Sequence, residues 1–477
     1  ITQVPVGRFS LERYFSKNNG LAGHSYTLAA GVIDGIKEFD PDFFGISRKE
    51  AEDMDPQQRL ALELAWECLE HAQIRASLLR GSPTGVYIGA SGMDNSLQIP
   101  DDLCMASPYA MTGSNLSIIS NRISHVFDLH GPSLTVDTAC SSSMLAVHLA
   151  CEALRSGEIS QAFAGGVNIL LAPHGFIGFS KARMLSPDGR CKVFDASGNG
   201  YVRSEGGGCL LLKHLDKALE DDYNILGLIA GNGANSDGHT TGIALPNGKM
   251  QADLVSSVYE RFELDKNKLV YVEAHGTGTA AGDPIEAVSI GTVLGEPLKR
   301  TRKLYIGSAK GNIGHLEAAS GMAGIIKALL ILQHGQIPQN LHFCTPNEQI
   351  DFEDLNIKVP QKLLRLPSAG GAELISVNSF GFGGANAHVV LQRAPKKRRK
   401  KVAPSQNNLL PPLFLSASSQ RSLRELAREC AKSLSGKDAS QVTAFASSLA
   451  SGRDSLPLRT VFTAGTITVL INAMERC

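Results

Sequence analysis

The sequence predicts a layered α/β protein whose strands pair largely in parallel. From about residue 130 onward, short apolar strands alternate with helices. "LVYVEA" (269–274) leads through a glycine-rich loop into a helix, and "KLYIGSA" (303–309) does the same. Such strand–loop–helix units favour parallel sheets with helices packed on them. The 477 residues suffice for one large domain or for two to three ordinary ones.

Composition narrows the class of protein. Hydrophobic residues make up 43% of the sequence and charged residues 19%, a globular composition. Because Lys+Arg and Asp+Glu both number 46, the net charge is zero, and a polyelectrolyte partner such as nucleic acid is not indicated. The nine cysteines form no C-x-x-C pair, which indicates a reduced, cytoplasmic protein without metal-ligand spacing. The longest apolar run, "GIIKALLILQ", contains Lys327 and predicts a core helix rather than a membrane span. The start at Ile1 suggests a fragment.

The first clear helix is "MDPQQRLALELAWECLEHA". Asp55 can cap it, Pro56 fits its first position, and Gln58 lies where a capping box needs it. Apolar side chains then recur every four residues from Leu60.

The stretch "VDTACSSSMLAVHLA" (136–150) places a cysteine between a predicted strand and a predicted helix. The helix is expected to end at Gly157, and Cys140 stands among residues too small to cover it. A helix N-terminus lowers a thiol pKa, and the Cys140 N–H can act as half of an oxyanion hole. Cys140 is therefore a candidate nucleophile, although a buried cysteine is often only a small hydrophobe.

Two histidines follow later strands in glycine-rich loops. His275 follows "LVYVEA", and His315 follows "KLYIGSA" after five intervening residues. Because ligand crevices form at the carboxyl ends of strands in α/β sheets, we expect both histidines to meet Cys140 in one pocket. Imidazoles there can hold a developing enolate or move a proton, although a histidine near a helix start can simply bond the backbone. A third loop, in "NSFGFGGANAHVV" (378–390), can supply the other oxyanion donor.

Other patterns point away from further chemistry. Asp283, Pro284 and Glu286 predict a second capping box, which makes the two carboxylates a helix cap rather than an acid/base pair. No G-x-x-x-x-G-K-[ST] motif occurs, and "GNGANSDG" breaks the dinucleotide-binding spacing at Ser236. The basic run 396–401 is interpreted as a solvated linker, with a nuclear-import signal as the alternative. A strand, a turn and a helix follow from about residue 411.

Taken together, the motifs resemble the β-ketoacyl synthase (ketosynthase) domain of modular type I polyketide synthases. They are "VDTACSSS", "VEAHGTGTAAGDPIEA", "GSAKGNIGHLEAASGMAG" and "NSFGFGGANAHVVL", joined by "FDPDFFGISRKEAEDMDPQQRLALELAWECLEHA" and "FDASGNGYVRSEGGG". The resemblance covers roughly residues 25–392. "GHLEAASG" and "GDPIEA" are more similar to polyketide synthases than to animal fatty acid synthase.

The resemblance implies a thiolase-like layered αβαβα fold made of two similar halves, and a homodimer. It implies a nucleophile half over residues 1–220 and a histidine half over 221–392. A basic, proline-containing linker (393–410) leads into the start of a small α/β linker domain (411–477). The family's first strand and "GMACRFPG"-like segment are not found before "VPVGRFSLERYF", so an unpaired neighbouring edge is expected.

The reaction implied is a decarboxylating Claisen condensation. Cys140 takes an acyl chain from an acyl-carrier protein, and a malonyl-type extender on a second carrier supplies the attacking enolate. His275 and His315 hold the extender's thioester carbonyl, and Lys310 organises the charge around the site. The N–H groups of Cys140 and Phe382 form the oxyanion hole. No metal or redox cofactor is implied, and phosphopantetheine arrives on the carrier.

Departures from the family pattern leave these catalytic groups in place. "AAGD" replaces "KLGD", Ala385 replaces a common threonine, and Gly311 replaces a serine. The acyltransferase motifs "GQGxQ" and "GHSxGE" are absent from the sequence. Extender loading is therefore assigned to a separate acyltransferase or to a part of the polypeptide outside this sequence.

Four alternatives stand beside an elongating ketosynthase. A non-condensing member would pass acyl chains between carriers, and loss of a histidine would signal it. A loading decarboxylase would lack the cysteine. A plant-type Cys-His-Asn enzyme would carry asparagine in place of His315. The non-enzymatic alternative is a truncated, inactive fragment or scaffold.

Overall fold

The computed structural model describes residues 1–18, 20–98, 104, 106–295, 303–367, 373–395 and 410–477. The basic run 396–401, and with it most of the expected linker, lies outside the described residues.

The helices follow in chain order. They are α1 (Leu11–Tyr14), α2 (Arg48–Asp53), α3 (Pro56–Ala72), α4 (Ala110–Ser114), α5 (Ser117–Phe127), α6 (Ser142–Arg155), α7 (His174–Lys181), α8 (Leu215–Glu220), α9 (Gly248–Arg261), α10 (Gly282–Ile290), α11 (Lys310–Ile313), α12 (Ser320–His334), α13 (Gln420–Leu434), α14 (Ala439–Gly452) and α15 (Ile467–Glu475). Short 3-10 turns, Ala139–Ser141 and Glu317–Ala319, lead into α6 and α12.

The strands are short, and several consist of two residues. They are β1 (Thr2–Gln3), β2 (Ala29–Gly31), β3 (Thr84–Gly89), β4 (Ser133–Val136), β5 (Gln161–Asn168), β6 (Arg203–Ser204), β7 (Gly206–Lys213), β8 (Gly227–Ser236), β9 (Leu269–Glu273), β10 (Leu304–Gly307), β11 (Gln336–Ile337), β12 (Ile357–Lys358), β13 (Leu364–Arg365), β14 (Leu374–Phe380), β15 (Ala385–Arg393), β16 (Leu413–Ala417) and β17 (Leu458–Phe462).

Two main sheets share one strand pattern. The first has the order β4-β3-β5-β7, with β4, β3 and β5 parallel and β7 antiparallel to β5. The second has the order β12-β10-β9-β14-β15-β8, in which β10, β9 and β14 are parallel and β15 and β8 alternate in direction. The strands β10-β9-β14-β15 of the second sheet therefore repeat β4-β3-β5-β7 of the first.

Helices form a layer between the sheets and a layer outside each. The helices α6 and α12 contact strands of both sheets, and their apolar residues share a buried cluster with both. On the outer sides, α3 and α5 cover the first sheet and α9 packs on the second. Burial of α12 from both sides explains its long apolar run, in which Lys327 pairs with Glu273 at 2.7 Å. Among the described helices, none is long and apolar enough to cross a membrane.

The predicted start of α3 is partly confirmed. Asp55 caps the helix by accepting from the Gln57 N–H, and Pro56 occupies the first turn. The capping box was wrong, because the Gln58 side chain donates to the carbonyl oxygens of Thr112 and Gly113 instead. Gln58 is fully buried against α4, and its amide donates to these two carbonyl oxygens of that helix.

The C-terminal unit has a hydrophobic core of its own. As predicted, a strand and a helix follow residue 411, and they are β16 and α13. The strand β17 pairs antiparallel with β16, and α13, α14 and α15 pack around the pair.

Candidate active site

Cys140 lies in the turn between β4 and α6, at the strand-to-helix junction that the sequence predicted. The preceding residue, Ala139, has φ = 55°, a left-handed conformation that is costly for a residue other than glycine. The Cys140 carbonyl accepts hydrogen bonds from the Ser320 hydroxyl at 3.0 Å and the Ser379 hydroxyl at 2.8 Å. These bonds from distant parts of the chain hold the strained turn in place.

The structure brings Cys140, His275 and His315 together. The Cys140 sulfur and one ring nitrogen of each histidine lie within 4.8 Å of one another, and the two imidazole centroids are 5.5 Å apart. His275 follows β9, as the sequence predicted. His315 does not directly follow β10, because α11 lies between them. Its backbone pairs with that of Arg203 in an isolated β-bridge.

Backbone hydrogen bonds determine which nitrogen of each imidazole carries the proton. The Nδ1 atom of His315 accepts from the Glu317 N–H at 2.9 Å, and the Nδ1 atom of His275 accepts from the Phe380 N–H at 3.3 Å. In a neutral imidazole the other nitrogen, Nε2, then carries the hydrogen. Both side chains are therefore hydrogen-bond donors through Nε2.

A cysteine with two histidines is also a possible metal-ligand set. A metal ligand needs an unprotonated ring nitrogen, but the backbone N–H groups already occupy both Nδ1 atoms. Binding through Nε2 would require an imidazolate. The tautomers therefore fit two donors to an oxygen better than they fit two metal ligands.

The histidines are neutral at pH 7. Burial lowers both pKa values well below the usual range, and the Lys310 ammonium lowers them further. Lys310 is itself buried and donates to the His275 carbonyl oxygen, while burial lowers the pKa of its amine. Lys310 thus lies beside both imidazoles, where the resemblance places it.

The expected lowering of the Cys140 pKa was wrong. Burial raises the pKa of the thiol to about 11, and the Glu317 carboxylate contributes to the rise. Lys310 and the N–H groups of Phe382 and of Cys140 itself favour the thiolate, but desolvation outweighs them. The neutral thiol is therefore the favoured form of Cys140 near pH 7.

The loop between β14 and β15 brings the Phe382 N–H to the cysteine. The N–H groups of Phe382 and of Cys140 itself both favour the charged form of the sulfur, so two backbone donors lie beside the candidate nucleophile. The Phe382 ring is 44% exposed and packs edge-on against Phe179, with centroids 5.8 Å apart.

Asp283 and Glu286 do not cap α10. The residue before the helix, Ala281, makes no side-chain cap. The Asp283 carboxylate accepts from the N–H groups of Phe194, Thr277 and Gly278 at 2.7 to 3.1 Å. The capping prediction was wrong because both carboxylates are buried and accept instead from the backbone N–H groups of Phe194 and of the loop that follows β9.

Glu286 holds His275 directly. Its carboxylate accepts from the His275 N–H at 2.7 Å, the Gly276 N–H at 2.8 Å and the Asn378 amide at 3.0 Å. Desolvation raises the pKa of Glu286, and these donors oppose that rise. The position of Glu286 near the start of α10 suggested a helix cap. Only the tertiary fold shows that its carboxylate instead holds the backbone of His275, an arrangement called here the Glu286 clamp.

Sequence reasoning also missed a buried ion pair beside His315. The Arg203 guanidinium binds the Glu317 carboxylate through two bonds, one of them 2.9 Å long, and lies 4.8 Å from the Phe176 ring centroid. Glu317 has φ = 47° and supplies the N–H that sets the His315 tautomer. "GYVRSEG" and "GHLE" contain both residues, but 113 intervening positions hide their contact.

Comparison with known proteins identifies the family. The β-ketoacyl synthase N-terminal domain model matches residues 1–218, the C-terminal domain model 226–344, and the ketoacyl-synthetase C-terminal extension 346–462. A Bacillus subtilis ketosynthase from module 6 of the bacillaene synthase aligns with a TM-score of 0.87 and 36% identity over 99% of this chain and 79% of its own. An oxazolomycin ketosynthase domain from Streptomyces albus gives 0.91 and 32% over 99% and 82%.

The chain therefore belongs to the β-ketoacyl synthase family. Its relatives within that family are ketosynthases of polyketide synthases. The predicted thiolase-like layered fold is thereby confirmed, and so, for the family, is the prediction of an acyl-transferring condensing enzyme.

Curated relatives are much longer proteins. A phenolphthiocerol/phthiocerol polyketide synthase of Mycobacterium tuberculosis is 48% identical over 398 residues, which cover 83% of this chain and 21% of that protein. A reducing polyketide synthase of Aspergillus oryzae is 40% identical over 97% of this chain and 20% of its own length. The chain thus spans about a fifth of these relatives.

Proposed function

We propose that the chain catalyses the decarboxylative condensation of an acyl group on Cys140 with a malonyl-type extender held by an acyl-carrier protein. The observation that carries the proposal is the cluster of one thiol and two imidazoles within 4.8 Å. The N–H groups of Cys140 and Phe382 lie beside it and favour the charged form of the sulfur. A nucleophile, two neutral donors and an oxyanion hole are the groups that this reaction needs.

The first half-reaction is thioester exchange. The Cys140 sulfur attacks the acyl thioester on the carrier's phosphopantetheine arm. The carbonyl oxygen accepts hydrogen bonds from the N–H groups of Cys140 and Phe382, and the carrier thiolate leaves. The thiol proton ends on the departing phosphopantetheine sulfur. No metal or redox cofactor takes part in this step.

The second half-reaction forms the carbon–carbon bond. The extender's thioester oxygen accepts the Nε2–H groups of His275 and His315, and the C–C bond to the carboxylate breaks with release of CO2. The electron pair forms an enolate, which the two donors and the nearby Lys310 stabilise. The enolate carbon attacks the Cys140 thioester, and the Cys140 thiolate leaves, so the carrier holds a β-keto chain two carbons longer.

The proposed partners follow from this chemistry. They are acyl-carrier proteins with their phosphopantetheine arms, a second copy of the chain in a homodimer, and an acyltransferase that acts separately on the extender carrier. We propose a cytoplasmic location because the cysteine usage of the sequence is that of a reducing compartment. The proposed halves are residues 1–220 and 221–392, followed by the linker 393–410 and the unit 411–477.

The alternative of a non-condensing acyl transferase is not favoured. Both histidines are present, and both are neutral donors. A transferase that only exchanges acyl groups has no enolate for two such donors to hold. A truncated, inactive scaffold likewise gives no reason for the Glu286 clamp on His275.

Intact-protein mass spectrometry tests the proposed function. Incubation with an acyl thioester should add one acyl mass, and Cys140→Ala should not gain it. Subsequent malonyl-carrier protein should discharge the mass as a chain two carbons longer. A stable gain that malonyl-carrier never discharges would support acyl transfer without condensation, and no gain in folded protein would remove Cys140 as the nucleophile.

A further inference from the structure

The backbone of His315 is held from both sides by β6 and the residue before it. The His315 N–H donates to the Val202 carbonyl oxygen at 2.7 Å, and the His315 carbonyl oxygen accepts from the Ser204 N–H at 2.9 Å. Arg203 stands between these two partners in the isolated β-bridge. The main chain of His315 is therefore fixed, but these bonds do not set the rotation of its ring about the side-chain torsions.

The backbone donor that orients the ring belongs to a strained residue. The Nδ1 atom of His315 accepts from the Glu317 N–H at 2.9 Å. Glu317 has φ = 47°, a left-handed conformation that is costly for a residue other than glycine. Such a conformation persists only where the surrounding structure holds it. The orientation of His315 therefore depends on what holds Glu317.

Arg203 holds Glu317 by its side chain. The guanidinium donates to both carboxylate oxygens, from Nε to Oε1 and from Nη2 to Oε2 at 2.9 Å. The two side chains are only 7% and 13% exposed, so water competes little for these bonds. Two parallel bonds from a planar fork fix the carboxylate more closely than one contact does. A chain of contacts thus runs from Arg203 through Glu317 to the ring of His315.

The surroundings of the guanidinium leave Glu317 as its charged partner. A Cβ on Gly175 would lie 2.2 Å from the Nη1 atom of Arg203, so a glycine makes room for this group. Nη1 is buried and has no hydrogen-bond partner among the described residues. The rings of Phe176 and Phe179 lie 4.8 Å and 5.5 Å from the guanidinium carbon. Aromatic packing and the Glu317 carboxylate therefore place the guanidinium together.

We propose that Arg203 is a positioning residue for His315, which acts through Glu317 to keep the ring oriented with its Nε2–H toward the extender's thioester oxygen. This inference rests on the proposed function, in which that N–H group stabilises the enolate. Loss of Arg203 leaves a buried carboxylate without its partner, so Glu317 leaves its strained conformation and the ring loses the donor to Nδ1. Acylation of Cys140 does not use His315 and should not depend on Arg203.

Nitrogen NMR of the full chain with ¹⁵N-labelled histidine tests the orientation directly. The ring nitrogen shifts report which nitrogen carries the hydrogen, and the signals of His315 are those missing from His315→Asn. The wild-type protein should show hydrogen on Nε2 alone, whereas Arg203→Gln should show a mixture of the two tautomers. Hydrogen on Nε2 alone in folded Arg203→Gln would overturn the proposal. This readout needs no catalysis, so it stands even if the wild-type protein fails to condense and the proposed function is wrong.

The two half-reactions, measured separately, test the effect on catalysis. In Arg203→Gln, release of CO2 from malonyl-carrier protein and condensation should fall by roughly 10- to 100-fold, while acylation of Cys140 should stay within about threefold. Arg203→Lys keeps the charge but not the two parallel bonds, so it should recover part of the loss. Equal losses in both half-reactions would show that the ion pair supports the fold or the thiol instead.

Arg122→Gln is the matched control. The Arg122 side chain is likewise 7% exposed and binds Glu50 at 2.6 Å, in α5 and away from the histidines. Its loss should leave the ratio of the two rates as it is.

A double variant tests the route through Glu317. If Arg203 acts through that carboxylate, Arg203→Gln combined with Glu317→Gln should condense within about threefold of Glu317→Gln alone. Losses that multiply in the double variant would show that Arg203 acts on His315 by another route and would overturn the proposal.

Discussion

At the scale of single residues, burial decides the chemistry of the thiol. The turn before α6 and Lys310 favour the thiolate, but removal of the sulfur from water costs more than they return, and the pKa rises to about 11. The Cys140 side chain is therefore mostly the neutral thiol at pH 7, which is a weak nucleophile.

The raised pKa predicts the pH dependence of alkylation. Below the pKa the thiolate fraction rises about tenfold per pH unit, so the rate of Cys140 modification by iodoacetamide should climb from pH 7 to pH 10 without a plateau. Peptide mass spectrometry of the Cys140 peptide measures it, with Cys140→Ala as the background. A plateau near pH 7 would contradict the burial argument.

Glu286 is predicted to position His275. In Glu286→Gln one backbone or amide donor faces an NH2 group instead of an oxygen, so the His275 loop moves. We expect the condensation rate to fall by roughly 10- to 100-fold, as for other lost supporting contacts. Acylation of Cys140, followed by mass, should stay within about threefold because the mechanism does not use His275 in that step.

The exposed Glu348→Gln is the matched control for this charge change and should leave both rates as they are. Equal losses in acylation and condensation would show that Glu286 supports the fold in general rather than the position of His275.

At the scale of elements, a close backbone contact between β3 and α6 fixes the position of α6 relative to the site. β3 ends at Gly89, where an added Cβ would lie 2.3 Å from the Ser143 nitrogen and 2.5 Å from the Ser142 carbonyl carbon. A side chain there cannot be accommodated unless the first turn of α6 moves. That turn carries Cys140 just before it.

Gly89→Ala should therefore impair acylation of Cys140 as well as stability. We expect a loss of free energy of unfolding of about 1–3 kcal/mol, typical of overpacking, measured by urea denaturation. Gly178→Ala is the control, because its Cβ would meet no atom within 4 Å in α7 and alanine favours helices. Wild-type acylation in a folded Gly89→Ala protein would show that α6 is not held by this contact.

The second sheet contains a buried histidine that makes the free energy of unfolding depend on pH. His388 in β15 hydrogen-bonds Asn378 at 2.7 Å, and burial lowers its pKa to about 3. Because an unfolded histidine titrates near 6.5, its contribution is complete above pH 6.5 and is lost as the pH falls toward 3.

His388→Gln should make the free energy of unfolding less dependent on pH between 6.5 and 3. The difference amounts to roughly 1.4 kcal/mol per pH unit crossed, measured by urea denaturation at several pH values. His174→Asn, an exposed position, should retain the wild-type slope. An unchanged slope in His388→Gln would mean that the buried imidazole protonates as freely as the unfolded one.

At the scale of the whole molecule, the C-terminal unit is expected to unfold separately from the larger body. Its apolar residues form their own cluster, and its described contacts with the larger body include the polar pairs Arg453–Glu70 at 3.1 Å and Ser77–Asp454 at 3.0 Å. Partly exposed pairs of this kind contribute little free energy.

Scanning calorimetry should therefore resolve two transitions. Arg453→Gln should shift only the transition of the C-terminal unit, by less than about 1 kcal/mol, and leave Cys140 acylation at the wild-type rate. One cooperative transition for the whole chain, or a shift of both transitions together, would show that the two cores unfold as one.

Local pattern predicted the elements and the chemical groups of this protein, but not the environment of those groups. The strand before Cys140, the helix after it, the Asp55 cap and the two histidine loops were predictable because propensity and capping act over a few residues. The roles of Gln58, Asp283 and Glu286 were not, since buried backbone groups far along the chain compete for their side chains.

The sequence alone thus determined the layered α/β class, the family, and the candidate thiol and imidazoles. Only the tertiary structure decided how those groups behave. The N–H groups of Phe380 and Glu317 set the histidine tautomers, and desolvation raised the Cys140 pKa. Burial and such long-range contacts arise when segments hundreds of residues apart exclude water together, which no short stretch of sequence records.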